Sequence, residues 1–257
     1  MRAVTSNDVT EFSGALLRWR PDPRRLHGTS LSDGRALLHI AALGRRHQGL
    51  VLLCTANHPV AGTASASVTL DMLLAPVGAT LVRRGPLVAG VSAELECVTW
   101  GSRPEALVNW TLGGVSLPTA FVHWDGNVST ATVSLLPTAG HDGLRLTCSA
   151  ANPRAPTLPA VQDSRVLDVR YPPKARLEPC PAASTWSCLR CAAVSNPEPS
   201  EFTWFRDGIR IQGQASAVLR HRQRPSRIER FQCEARNVLG TGRSEQLALL
   251  LLERTGE

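Results

Sequence analysis

The residues best suited to chemistry are seven cysteines, seven histidines and six tryptophans in a chain of 257 residues. Their types would allow metal binding, nucleophilic catalysis or disulfide formation, and their spacing decides between these. The histidines are scattered without the i, i+4 spacing of a helical metal site. Motifs for a serine nucleophile, a zinc protease, a phosphate loop or a dinucleotide are absent from the sequence. We therefore expect no enzyme, no cofactor and no metal.

Three segments share one closing pattern, in which an apolar residue, a cysteine and an alanine alternate before an asparagine. They are Leu52-x-Cys54-x-Ala56-Asn57, Leu146-x-Cys148-x-Ala150-x-Asn152 and Phe231-x-Cys233-x-Ala235-x-Asn237. Alternation at period two predicts a strand with one buried face, and the asparagine then begins a turn. The chain therefore contains three copies of one β-rich unit.

Two copies also share an opening pattern. Cys97 precedes Trp110 by thirteen residues, and Cys191 precedes Trp204 by the same number. The order Cys, Trp, Cys is typical of the immunoglobulin sandwich, in which a disulfide joins strands B and F and the indole packs against it. The predicted fold is all-β, with tandem immunoglobulin-like sandwiches; Cys97–Cys148 and Cys191–Cys233 are the expected disulfides inside two of them.

The repeats divide the chain into 1–75, a truncated immunoglobulin-like domain, 76–172, a complete one, and 173–257, a third. In the first, Trp19 is the candidate core tryptophan of strand C, but no cysteine precedes it. Strands A and B are therefore expected to be missing or replaced, which leaves Cys54 without a partner. A stiff linker is expected at Tyr171-Pro172-Pro173.

The third domain has two surplus cysteines, Cys180 and Cys188. We favour a second local disulfide between them. Zinc is the alternative, because Cys188-x-x-Cys191 has ligand spacing, although a second ligand pair at suitable spacing is lacking.

Two N-glycosylation sequons begin at Asn109 and Asn127. Asn109 precedes the inward-pointing Trp110 and should therefore face outwards, and Asn127 follows a turn signal. Both are candidate glycan sites if the chain is secreted.

The formal net charge is +7, and a basic cluster lies near the end of the chain: Arg220, Arg222, Arg224, Arg227 and Arg230. The plain interpretation is a solvated edge or loop in the region of strands D and E. The functional alternative is contact with a sulfated glycan or an acidic partner. Nucleic acid is not expected, because the cluster contains no aromatic residue on which a base could stack.

The middle segment resembles one family in detail. Ser102-Arg103-Pro104, the run Gly126–Leu135 and the run Asp142–Pro153 are similar to a middle immunoglobulin domain of the Sidestep family, which are arthropod cell-surface receptors. Val68–Pro76 and Val166–Pro173 look like that family's interdomain linkers. The resemblance covers roughly residues 15–240 and is densest between 50 and 173.

This resemblance implies a partial ectodomain that acts in axon guidance by binding Beaten path-like immunoglobulin-superfamily proteins. The longest apolar run, Leu247–Leu252, is six residues, against about 20 for a membrane helix. We therefore expect a cell-surface location, with contact to the membrane only through a signal peptide and membrane helix outside this sequence. The alternative is a structural immunoglobulin-domain array, or a nephrin-like adhesion protein without a guidance role.

Overall fold

The computed structural model describes residues 16–20, 27–30, 36–40, 42–180, 187–221 and 228–250. The described elements are β-strands, apart from two 3₁₀ turns at Arg45–His47 and Ala139–His141. In these ranges, no helix has the length and apolar character needed to cross a membrane.

The first unit contains five described strands. They are β1 (Leu16–Arg20), β2 (His27–Ser30), β3 (Ala36–His39), β4 (Val51–His58) and β5 (Gly62–Thr69). Strands β1, β4 and β5 form one antiparallel sheet, and β2 and β3 form a hairpin. Among the described residues, no further strand is hydrogen-bonded to this hairpin.

The middle unit is a sandwich of two four-stranded sheets. Its strands are β6 (Gly78–Arg83), β7 (Leu87–Val88), β8 (Ala93–Trp100), β9 (Leu107–Leu112), β10 (Val115–Leu117), β11 (Phe121–Asp125), β12 (Val128–Leu135), β13 (Arg145–Ala151) and β14 (Val161–Val166). The order is β10-β9-β13-β14 in one sheet and β11-β12-β8-β6 in the other. Buried residues alternate with more exposed ones along β8, β12 and β13, as the period-two patterns predict.

The core of the middle unit lies between these sheets. Trp110, Leu95 and Leu146 are almost completely buried in one apolar cluster with both cysteines. Burial of each large side chain stabilises the fold by roughly 1.5–3 kcal/mol. Together they hold the two sheets face to face.

The third unit repeats this arrangement. Its strands are β15 (Val169–Pro179), β16 (Ser187–Asn196), β17 (Glu201–Arg206), β18 (Ile209–Arg210), β19 (Val218–His221), β20 (Ile228–Asn237), β21 (Gly240–Arg243) and β22 (Leu247–Leu250). One sheet has the order β19-β16-β15-β7, and the other has β18-β17-β20-β21, with β22 also paired to β20. Trp204, Phe231 and Leu189 form its buried centre.

Strand β15 runs from the middle unit into the third. Its first residues, Val169 and Arg170, pair in parallel with Leu87 and Val88 of the middle unit, whereas Lys174 onwards pairs with β16. The chain between the units is therefore continuously extended and paired on both sides of the Pro172-Pro173 step.

All three units place the tryptophan directly across a strand pair from the cysteine of the closing pattern. The paired residues are Trp19 and Cys54, Trp110 and Cys148, and Trp204 and Cys233. The shared register shows that β1 and β4 occupy the positions of β9 and β13. By the same correspondence, β2 and β3 match β11 and β12, and counterparts of β6 and β8 are lacking in the described part of the first unit.

Candidate functional site: the unit junctions and exposed surfaces

Three disulfides are present in the structure. Cys97 bonds to Cys148 and Cys191 to Cys233, each joining the two sheets of its unit. Cys180 bonds to Cys188 directly opposite it, across the β15–β16 pair. Each sulfur of the Cys188-x-x-Cys191 pair is therefore engaged in a separate disulfide and is not available as a zinc ligand. The described residues contain no group of three or more His, Cys, Asp or Glu side chains that could hold a metal ion.

Cys54 is the one free cysteine of the described chain, on β4 of the first unit. Partial burial raises the pKa of its thiol, because the charged thiolate is less well solvated there. The thiol is therefore less reactive than an exposed cysteine at the same pH.

The core tryptophans differ in how their indole nitrogens are satisfied. Trp204 Nε1 donates a 2.8 Å hydrogen bond to the carbonyl oxygen of Ser216. Trp110 Nε1 is buried and has no hydrogen-bond partner among the described residues. Trp19 lies on β1, and its side chain is outside the described part of the structure.

Both sequon asparagines are exposed. Asn109 lies on β9 with Trp110 buried beside it, and Asn127 lies in the turn between β11 and β12. The Ser129 hydroxyl of the second sequon belongs to a buried residue of β12. Both therefore stay predicted glycan sites.

The structure describes two of the five arginines of the basic cluster. Arg220 is at the end of β19, and Arg230 lies on β20, in the opposite sheet. Both are exposed, and Arg222, Arg224 and Arg227 lie outside the described residues. β19 pairs with β16 as β12 pairs with β8. Arg220 therefore lies on strand E, within the region expected from the sequence, and Arg230 lies on strand F.

The junction between the first and middle units is held by a set of polar contacts that we call the first junction clasp: Gln48, Asp71, Leu74, Arg103 and Asn152. Gln48 accepts a 2.6 Å hydrogen bond from the Met72 amide and donates to Asp71. Arg103 Nε lies 2.6 Å from Asp71 Oδ1. These contacts, with that of Arg103 first, lower the pKa of the Asp71 carboxyl.

Asn152 is the buried member of this clasp. Its Nδ2 donates to the carbonyl oxygens of Leu74, at 2.8 Å, and Arg103, at 2.7 Å. Its Oδ1 accepts from the Arg154 amide at 2.9 Å. The backbones of Leu74 and Arg103 also pair with each other. The Asn152 side chain therefore connects the linker between the first and middle units, the turn between β8 and β9 (the B–C turn) and the turn between β13 and β14 (the F–G turn).

Arg45 adds a further contact at the same junction. Its guanidinium, from the 3₁₀ turn of the first unit, donates to the carbonyl oxygens of Ala75 and Gly101. Gly101 has a positive φ of 81°, and a Cβ there would lie 2.7 Å from a Val77 methyl. Because glycine has no Cβ, the Val77 side chain can lie close to the backbone of Gly101.

The second junction clasp, between the middle and third units, uses equivalent positions: Asp142, Asp168, Tyr171, Asn196 and Asn237. Asp142 accepts from the Val169 amide at 2.9 Å, as Gln48 does from the amide after Asp71. Asn196 Nδ2 donates to Asp168 at 2.7 Å. Asn237 Nδ2 donates to the carbonyl oxygens of Tyr171 and Pro197 at 2.9 and 3.0 Å.

The two clasps were not predicted from the sequence, where the asparagines of the closing pattern were interpreted as turn residues. They do begin turns, since Asn237 Oδ1 accepts from two amides of its own turn. The signal that would have revealed the second role is the repetition of Asn152 and Asn237 with Leu70-Asp71 and Leu167-Asp168 in the linkers. Asn152 and Leu74 are 78 positions apart, and local residue spacing does not predict a hydrogen bond between such distant residues.

Comparisons with known proteins agree with this architecture. Residues 78–157 match the CD80-like C2-set immunoglobulin domain. The chain has the fold of a mouse nectin-like molecule 4 ectodomain (Ig1–Ig3), with a TM-score of 0.64, 21% identity, and coverage of 95% of this chain and 96% of that one. This chain is a tandem array of immunoglobulin-like domains. The predicted fold class is confirmed.

The curated relatives are cell-adhesion proteins. Human cell adhesion molecule 4 is 30% identical over 190 residues, which cover 68% of this chain and 48% of the relative. Human nephrin is 32% identical over 172 residues, which cover 62% of this chain and 14% of nephrin. The array thus spans about half, or less, of the curated relatives it matches. Its similarity is to immunoglobulin-superfamily adhesion proteins, and the narrower Sidestep assignment stays a prediction.

Proposed function

We propose that this array is part of the extracellular region of a cell-surface recognition receptor and that its partner is another immunoglobulin-superfamily protein. The observation that carries the proposal is the 30% identity to cell adhesion molecule 4 over 190 residues. Disulfides and exposed sequons support an oxidising, extracellular setting.

The domain boundaries that we propose are 1–75, 76–172 and 173–257. The first junction clasp lies around residues 71–76, and the second around 168–173. Both clasps join a linker to turns of the flanking units. They therefore suit an array whose neighbouring units keep a fixed relative orientation. Fixed presentation lowers the conformational entropy lost when a partner binds.

The more specific proposal is a Sidestep-like guidance receptor that binds Beaten path-like proteins. It rests on the motif order of the middle unit and the linkers. The second candidate is a nephrin-like adhesion protein without a guidance role, which the 32% identity to nephrin over 172 residues favours.

The experiment is a binding assay with the chain displayed as a multimer, so that weak contacts are detected through avidity. The panel contains Beaten path-like, nectin-like and nephrin-like ectodomains. A reduced and unfolded multimer of the same chain is the control for non-specific attraction to a +7 protein. Saturable binding to a Beaten path-like member supports the guidance proposal.

Binding only to nectin-like or nephrin-like members supports the second candidate. Binding to no member, while the disulfides are intact, contradicts the recognition proposal and favours a structural array. A folded protein that instead carries free thiols at Cys97 and Cys148 would indicate an intracellular array, because such compartments keep thiols reduced.

A separate proposal is that the basic cluster contacts a sulfated glycan. Arg220 and Arg230 are exposed on either side of the E–F connection. Changing both to serine should lower the salt concentration at which the chain leaves a heparin column. The matched control changes Arg83 and Arg165, which are exposed in the middle unit. Equal shifts in both variants would mean that only net charge matters.

A further inference from the structure

Among the residues that the structure describes, strand β11 is an unprotected edge of the middle unit. It ends the sheet β11-β12-β8-β6 and pairs with β12 alone in that sheet, in an uninterrupted register. All five of its residues are exposed, with Phe121 at 63%, Val122 at 47% and Trp124 at 46%. The strand contains no proline, lysine, arginine or bulge, which are the usual devices that prevent an edge from pairing with another chain.

The opposite edge of the same sheet is protected. The Leu81 amide of β6 donates a 2.8 Å hydrogen bond to a carboxylate oxygen of Asp163, which belongs to β14 of the other sheet. The Asp163 carboxylate thus accepts a hydrogen bond from a backbone amide on the edge of β6, and that amide is not free to pair with another strand. The two edges of one sheet therefore differ, with β6 closed and β11 open.

The region around β11 also lacks the charge that would keep copies of this protein apart. The chain has 28 lysine and arginine residues, but none occurs between Arg103 and Arg145. β11 itself has only His123 and Asp125 as titratable residues. Two copies of a protein with a net charge of +7 can approach here without placing arginines against each other.

We propose that a second copy of this chain pairs with β11, antiparallel and about a two-fold axis at His123. This register is self-complementary, as a two-fold interface requires. It places Val122 opposite Trp124 of the second copy, twice, and joins the two four-stranded sheets into one of eight strands. The pairing is a further activity, separate from binding to another immunoglobulin-superfamily protein.

The apolar pairs lie on the side of the sheet that carries the core. Val122 and Trp124 are paired with Ala131 and Ser129 of β12, both of which are buried. The apolar layer of each unit would therefore continue into that of its neighbour. A five-residue strand buries less than the roughly 800 Å² per partner of a standard interface. The dimer should accordingly be weak and reversible.

The first test is sedimentation of the complete chain over concentrations from about 1 µM to 500 µM. We expect a concentration-dependent monomer–dimer equilibrium. Val122→Lys and Trp124→Lys each place two like charges in the two-fold interface, and each should weaken the dimer at least about tenfold. The matched control is Val166→Lys, at a residue 57% exposed on the edge strand β14, which should leave the equilibrium unchanged.

The second test does not depend on the lysine variants folding normally. Directly opposed residues of antiparallel strands have Cα atoms about 4.5–5.5 Å apart, within the span of a disulfide. In a Cys54→Ser background, His123→Cys should form a covalent dimer on mild oxidation, and Gln162→Cys on β14 should not. A chain that stays monomeric throughout, a dimer insensitive to lysine at both positions, or equal cross-linking of the two cysteine variants would overturn the proposal. None of these outcomes depends on the partner panel.

Discussion

Replacing Asn152 with alanine should release the first junction clasp while leaving the core of the middle unit intact. Asn152 is 1% exposed and makes three hydrogen bonds, at 2.7 to 2.9 Å, to the linker, the B–C turn and its own turn. Alanine removes all three bonds and leaves a small space behind.

The free-energy cost of Asn152→Ala depends on which hydrogen bonds the carbonyl oxygens of Leu74 and Arg103 keep. The Leu74 carbonyl keeps a hydrogen bond from the Arg103 amide, at 3.1 Å, and the Arg103 carbonyl keeps one from the Leu74 amide, at 2.9 Å. Neither carbonyl is left unpaired, so the full desolvation penalty does not apply. Three lost bonds at the lower part of the usual range amount to about 2–3 kcal/mol.

Hydrogen exchange followed by mass spectrometry is the suitable assay, because a multidomain chain does not unfold in one two-state step. Protection of the Leu74 and Arg103 amides, which pair across the junction, should fall by about 30- to 150-fold in Asn152→Ala. The amides of β13 should lose less. The matched control is Asn109→Ala, an exposed asparagine of the same unit, which should change protection by less than about threefold.

A loss below about threefold at Leu74 in Asn152→Ala would refute the reasoning, because it would show that the linker is held without this side chain. An equal loss throughout the middle unit would refute it differently. Asn152 would then stabilise the whole sandwich rather than the junction.

Three further predictions concern the cores and the clasp. Cys148→Ala should destabilise the middle unit by about 2–5 kcal/mol in denaturant unfolding, and a change below about 0.5 kcal/mol would mean that Cys97 and Cys148 are not bonded in the protein. Trp204→Phe should cost about 0.5–1.5 kcal/mol more than Trp110→Phe, because only Trp204 loses a hydrogen bond; equal costs would contradict this account of the indole nitrogens. Because the pKa of Asp71 is lowered in the folded protein, its contribution is present above the ordinary aspartate pKa of about 4 and is lost as the pH falls through the folded value. Junction protection should therefore fall in acid, and Asp71→Asn should abolish that pH dependence; a variant with the same acid response as the unmodified chain would show that another group is responsible.

Much of the fold follows from local patterns. Alternation around Cys97, Trp110 and Cys148 predicted the strands and the packing of an indole beside a disulfide, because period-two burial is a property of single strands. The same patterns indicated that the first unit differs from the others, since no cysteine precedes Trp19. Local patterns do not show which strand carries each end of the basic cluster. Strands D and E are distinguished by the strands they pair with and not by their composition. Only the order of strands in the sheet therefore shows which strand is which.

The class of fold, the repeated unit and the residues of the disulfide framework can be predicted from the sequence, because each depends on residue type and short-range spacing. The way the units are joined and the identity of the open sheet edges depend instead on contacts between distant parts of the chain. Asn152 contacts a linker residue 78 positions away, and Asp163 reaches β6 across the sandwich, through contacts made only once both sheets are assembled. The exposure of β11 is a property of the same kind. Its alternating apolar residues are those of any half-buried strand, and its place at the end of a sheet is what leaves them uncovered.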